Sequence, residues 1–164
     1  MQSRTGKALR LLVVAILAAA SATFVAAAPA SADTQQTFRN RYTGMCLDDS
    51  NEFSLRQFPC NNSSYQRFNV HVFGDGTRQL RNIVTQRCFG SRRNGNAVEL
   101  IVGACTATPS MSWILGRPPN GIRLFSQVTG NHCLADAGGS YAGGRYVQAA
   151  PCIGGFYPTD TVWY

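Results

Sequence analysis

Apolar positions are laid out in two different ways along this chain of 164 residues. From Leu11 to Ala20 they are continuous, and the run carries on with small interruptions to Ala28. Arg4, Lys7 and Arg10 precede it, and Ala30-Ser31-Ala32 follows it. A basic start, an apolar stretch and a small-residue triplet are the marks of a secretory signal peptide. A membrane anchor is the competing reading, because the stretch is about long enough to span a bilayer. Its alanine content and its A-x-A ending favour cleavage. The expectation is loss of residues 1–32 and a secreted (extracellular) mature chain from Asp33 to Tyr164. No twin arginine precedes the run, which points to the general export route.

Beyond Ala32 the pattern breaks into short pieces. "FRNRYT", "QRFNVHV", "RQLRNIVT", "NAVELIVGAC" and "GIRLFSQVT" are rich in Val, Ile, Phe, Tyr and Thr, with Gly, Asn, Pro and Asp between them. Such runs read as strands separated by turns. No stretch shows sustained helical periodicity. The mature chain is therefore expected to be all-β, with about twelve short strands in one domain.

The pieces recur. "NRYTGMCLDD" starts at Asn40, "NIVTQRCFGS" at Asn82 and "SQVTGNHCLAD" at Ser126. Each unit has a second cysteine further on and closes on an aromatic: Phe68, Trp113 and Trp163. The repeats run over about residues 36–77, 78–121 and 122–164. All six cysteines lie in these units. In an oxidising compartment an even set reads as a disulfide framework, with 15 connectivities open to six cysteines. The repeat favours the simplest one, within each unit: Cys46 with Cys60, Cys88 with Cys105, Cys133 with Cys152. Loops of about 15 residues closed this way are worth roughly 3 kcal/mol each in the chain-entropy account. Three four-stranded units that cannot each bury a core are expected to close on one another as a barrel with three-fold pseudo-symmetry, removing most open sheet edges.

The unit C-L-D, then aromatic-Pro-Cys, then Q-x-[WF] resembles the repeat of the ricin B-type lectins over Thr37 to Tyr164. That resemblance implies a β-trefoil, with Phe68, Trp113 and Trp163 packed in the core around the pseudo-three-fold axis. It also implies carbohydrate binding through a carboxylate just after C-L, an aromatic two residues before the second cysteine, and amides before the closing aromatic. A carboxylate accepts from vicinal hydroxyls, an amide both donates and accepts, and a ring covers the apolar C–H face. Unit one keeps most of the set in Asp48, Phe58 and Gln66, with Tyr65 where an asparagine is common. Arg56 is a candidate flank. Asp48 also has a structural alternative, capping a turn beside the disulfide. Asp49 has no role in the resemblance and is expected to be solvated or in a turn.

Unit two has Gly90, Gly103 and Met111 at the three positions and reads as scaffold. Unit three has Ala135 at the acid position, Ala150 for the aromatic and Thr161 for the glutamine. Asp136 is one residue out of register, which on a strand means the other face unless a bulge restores it. In the loop "AGGSYAGGRY", Tyr141 or Tyr146 is a substitute platform, and four glycines imply mobility.

Composition narrows the partners. Without the leader the chain carries twelve arginines against eight acids, a formal charge of +4. The arginines are scattered, so a nucleic-acid surface is not expected, nor is a membrane after cleavage. His71 and His132 have no metal-ligand spacing, and no G-x-S-x-G elbow is present. Asp48 and Asp49 are adjacent, a poor pair for glycoside hydrolysis, which needs two carboxylates across one cleft. The expectation is a non-enzymatic protein with no metal and no cofactor. Its ligand is a glycan of galactose type or xylan type. The alternative is a protein-binding or inhibitory trefoil that has lost sugar binding, with the Gly-rich loop and "GRPPNG" at Arg117–Gly121 as its surfaces. Asn61 and Asn62 each begin an N-x-S acceptor pattern, which matters only in a eukaryotic secretory host.

Overall fold

The computed structural model describes residues 33–152 and 160–164. The expected signal peptide and residues 153–159, between the second cysteine and the closing aromatic of unit three, lie outside the described residues. Among those residues there are eleven strands, joined by turns and two short 3-10 segments. The polypeptide forms a β-trefoil.

Each repeat contributes one long hairpin. In unit one it is β2 (Cys46–Ser50) with β3 (Ser54–Phe58), in unit two β6 (Cys88–Asn94) with β7 (Ala97–Gly103), and in unit three β10 (His132–Asp136) with β11 (Val147–Pro151). A disulfide pins the open end of each: Cys46–Cys60, Cys88–Cys105 and Cys133–Cys152, with Cα atoms 5.0, 5.0 and 5.3 Å apart. The within-repeat pairing expected from the periodicity is the one formed.

The remaining strands join the repeats head to tail. Strand β4 (Phe68–Val72) pairs with β5 (Arg78–Asn82), and β8 (Trp113–Gly116) pairs with β9 (Arg123–Ser126). A short β1 (Thr34–Gln36) lies against β4. Register shows the symmetry. The closing aromatic of each unit sits opposite the opening turn residue of the next: Phe68 with Asn82, Trp113 with Ser126, and Trp163 with Asn40. The last pairing closes the ring. Asn40 and Asn82 each turn the chain by accepting two backbone N–H groups on one side-chain oxygen, an Asx turn used twice.

Phe68, Trp113 and Trp163 are fully buried in one core cluster with Phe38, Leu47, Leu80, Phe89, Leu124 and Leu134. Burial of an indole requires a partner for its N–H. Trp113 donates to the Phe89 carbonyl at 2.9 Å and Trp163 to the Leu134 carbonyl at 3.0 Å. Both acceptors immediately follow the first cysteine of a repeat.

The third residue after that cysteine forms the seams between repeats. Asp49 was expected in solvent or in a turn, but it lies in β2 and is 1% exposed. It accepts from the Thr85 hydroxyl and from Arg87 Nε at 3.3 Å and Nη2 at 2.5 Å, tying unit one to unit two. Asp136 occupies the same place in unit three. It accepts from Gln57 Nε2 at 2.7 Å, and Gln57 in turn holds the Thr43 hydroxyl at 2.5 Å, tying unit three to unit one. Ser91 is the unit-two member, and its hydroxyl meets that of Ser126 at 2.6 Å. Serine is too short to reach the threonine that follows in the turn. Thr129 Oγ1 is buried with no hydrogen-bond partner. The alternation of a strand explains the geometry: this position shares a face with the core residues Leu47, Phe89 and Leu134, while Asp48 faces the other way.

Candidate functional site

The hairpin of unit one builds a cleft of about 300 Å³, lined by Asp48, Phe53, Arg56, Phe58, Asn61 and Tyr65 among others. Asp48 on β2 stands directly across from Arg56 on β3. Both are buried, at 4% and 6% exposure. Arg56 Nε donates to Asp48 Oδ1 at 3.3 Å. The guanidinium lies between two rings, 4.3 Å from the centroid of Phe53 and 4.3 Å from that of Phe58, a double cation–π contact. Its Nη1 donates to the Ala142 carbonyl at 2.9 Å. Burial pushes the Asp48 carboxyl above the ordinary range, and the Arg56 guanidinium and the Gln66 amide pull it back only in part.

The structure distributes the residues named from sequence unevenly. Asp48, Phe58 and Tyr65 line one cleft. Phe58 does not offer a bare platform, because Arg56 covers one of its faces. Tyr65 is 37% exposed at the cleft edge. Gln66 is 1% exposed and does not reach into the cleft: its Nε2 donates to the Pro59 carbonyl at 3.0 Å and its Oε1 accepts from Asn61 N–H at 3.0 Å. Both ends of the amide bond backbone between Pro59 and Asn61, where it fixes the wall that carries Asn61, and the amide also interacts with the Asp48 carboxyl and favours its ionised form. The cross-strand partner Arg56 was only a candidate flank in sequence, yet it contacts Asp48, Phe53 and Phe58 within the cleft. An arginine two residues before the aromatic position, and so opposite the acid in a hairpin, is the signal that marks it.

Unit two has no room for such a cleft. A Cβ on Gly90 would stand 1.8 Å from the Ser110 carbonyl oxygen. The backbone around Ser110 and Met111 occupies the place of the acid, and only glycine fits beneath it. In unit three Ala135 is fully buried, opposite Gln148. Asp136 does not replace the missing acid, because no bulge interrupts β10 and β11. Its carboxylate takes a two-pronged contact from Arg145, at 2.9 and 2.7 Å, besides the bond from Gln57. Asp136 does line a cleft of about 330 Å³ of its own, with Tyr42, Arg145, Gln148 and Asp160 among others, but without Tyr146. Burial, and then the nearby Asp136 charge, push the Asp160 carboxyl upward. Among the described residues no cluster of His, Cys, Asp and Glu is arranged to hold a metal.

A three-fold ring of disulfide-pinned hairpins, with a polar and aromatic cleft on one of them, defines a lectin-type trefoil. The model of the ricin-type beta-trefoil lectin domain matches residues 34–155, and the chain belongs to that family. Its fold is similar to a ricin B-like lectin of Macrolepiota procera solved in complex with lactose. Identity there is 20%, over 81% of this chain and 94% of that one, with a TM-score of 0.65. The Rhizoctonia solani agglutinin is similar at 14% identity, over 80% and 92% of the two chains, with a TM-score of 0.65. The designed three-fold symmetric protein ThreeFoil is similar at 18% identity, over 79% and 95%, with a TM-score of 0.67. No curated protein matches the chain in sequence.

Proposed function

We propose that this is a secreted, non-catalytic carbohydrate-binding protein that holds its sugar in the cleft of the first repeat. One observation carries the reading: only the first repeat keeps a carboxylate at the second position after its first cysteine, and that carboxylate lines an open cleft. Asp48 accepts hydroxyl protons, Arg56 donates from a guanidinium held rigid between two rings, and Tyr65 with the free part of Phe58 covers the apolar C–H face. Gln66 is a positioning residue for this wall. A pre-ordered arginine and acid lower the ordering cost of binding. Secretion is supported by the leader pattern and by three disulfides. Asp49 is tied to Arg87 on the other face of β2, so it is not available as a second catalytic acid beside Asp48.

The test is a glycan array followed by calorimetry on the mature chain, with Asp48→Ala and Asp48→Asn alongside. The ligand is expected among galactose-type or xylan-type glycans. Both variants are expected to lose at least tenfold in affinity, with the asparagine variant keeping the wild-type melting temperature. Undiminished binding by Asp48→Asn moves the site elsewhere. No glycan bound at millimolar concentration removes the lectin reading and leaves a protein partner as the function of the scaffold.

A further inference from the structure

The glycine-rich loop of unit three is not a free flap. It lies along β3 of unit one. Gln57 and Arg145 exchange two backbone hydrogen bonds, each 2.8 Å. Arg145 is clamped by Asp136, which is also held by the Gln57 side chain. The glycines serve close approach: a Cβ on Gly144 would fall 2.3 Å from the Gln57 carbonyl oxygen. Tyr141 and Gly144 exchange backbone hydrogen bonds of 2.9 and 2.8 Å across a tight turn, with positive φ at Ala142 and Gly143. That turn delivers the Ala142 carbonyl to Arg56 inside the first-repeat cleft.

It also delivers an aromatic surface to the cleft's rim. Tyr141 meets Phe53, which lines the cleft, edge-on with ring centroids 5.9 Å apart. Tyr146 stacks on Tyr141 at 5.5 Å with the planes 20° apart. Yet the two tyrosines remain 44% and 48% exposed. Single exposed apolar groups need no explanation, but a contiguous set held on an ordered turn beside a polar cleft does. We infer that Phe53, Tyr141 and Tyr146 form a second subsite, which takes the neighbouring sugar of a chain whose first residue sits on Asp48. The ligand is then an oligosaccharide of at least two residues rather than a free monosaccharide. The inference rests on the first-repeat reading above. Pyranose rings present C–H faces to aromatic surfaces whichever sugar they belong to, so this subsite selects for chain length more than for identity.

The experiment compares affinities by calorimetry for two pairs of probes: galactose with lactose, and xylose with xylotetraose. In the wild type the longer member of the pair that binds is expected to be at least tenfold tighter. Tyr141→Ala is expected to bring that ratio near one while leaving the monosaccharide affinity unchanged. Tyr141→Phe is expected to keep the ratio, since the ring is retained. A ratio that survives Tyr141→Ala, or a parallel loss for both probes together with a lower melting temperature, overturns the second subsite. Sensitivity to Asp48→Asn in that same experiment leaves the first-repeat site standing. Failure of all four probes to bind the wild type overturns both readings.

Discussion

The seam at Asp49 makes a sharp prediction about stability. Asp49→Ala removes a carboxylate that is 1% exposed and leaves the Thr85 hydroxyl and Arg87 without the three hydrogen bonds they made to it. Removing one partner of a buried ion pair costs about 3–5 kcal/mol. The Arg87 side chain is 30% exposed, so water recovers part of its solvation, and the lower end, ~3 kcal/mol, is the expectation. For a domain of this size that corresponds to a melting temperature lower by roughly 10 °C. Urea titration followed by circular dichroism reads the free energy, and scanning calorimetry reads the midpoint. Arg87→Ala and the double variant complete a thermodynamic cycle, in which a coupling of about 1–3 kcal/mol is expected for groups in direct contact. A loss below about 1 kcal/mol in Asp49→Ala, or additivity in the double variant, refutes the view that this position ties the repeats together.

Two further outcomes follow from the same geometry. Because burial holds the Asp48 carboxyl above its ordinary value, sugar affinity should fall on acidification at a pH where an exposed carboxylate is still ionised, as calorimetry from neutral to mildly acid pH will read. The sign for folding is opposite: between the unfolded and the raised folded value the native state holds more protons, so Asp48 lowers stability as pH rises through that window, and Asp48→Asn should flatten the dependence. Gly90→Asp, which restores the acid of unit two on paper, should create no second site and should lower the melting temperature, because its Cβ would meet the Ser110 carbonyl at 1.8 Å; added binding stoichiometry in calorimetry would contradict this.

The repeat, the disulfides and the buried closing aromatics are legible in sequence because each is a local signal stated three times. The site is legible only in part. Asp48, Phe58 and Tyr65 could be placed in one cleft from the motif, since all three lie within one hairpin and its return. Gln66 shares the motif and is buried, bonding backbone at both ends of its amide while also favouring the ionised Asp48 carboxyl, a division of labour that a motif does not specify. Asp49 was misplaced because it was judged against Asp48 beside it, when the comparison that matters is with Ser91 and Asp136 at the same step of the other repeats; for Asp136 the expectation of the other strand face holds. A buried polar residue in all three registers, on the core face of a strand, calls for partners from a neighbouring repeat. The loop of unit three was misread as mobile because glycine signals either freedom or crowding, and only the position of Gln57 decides between them.

On the proposed function, the alternation of Asp48 and Asp49 along β2 sets the sugar-binding carboxylate and the repeat-joining carboxylate one peptide unit apart. Substitutions on the Asp48 row then change ligand choice while the inward row goes on joining the repeats. This chain displays that independence: Gly90 and Ala135 have given up the outward acid, and their neighbours Ser91 and Asp136 still bridge to the next repeat. The Asp48 position can therefore be rewritten without disturbing the ring, whereas the second repeat, where the Ser110 backbone sits over Gly90, is closed to the same change.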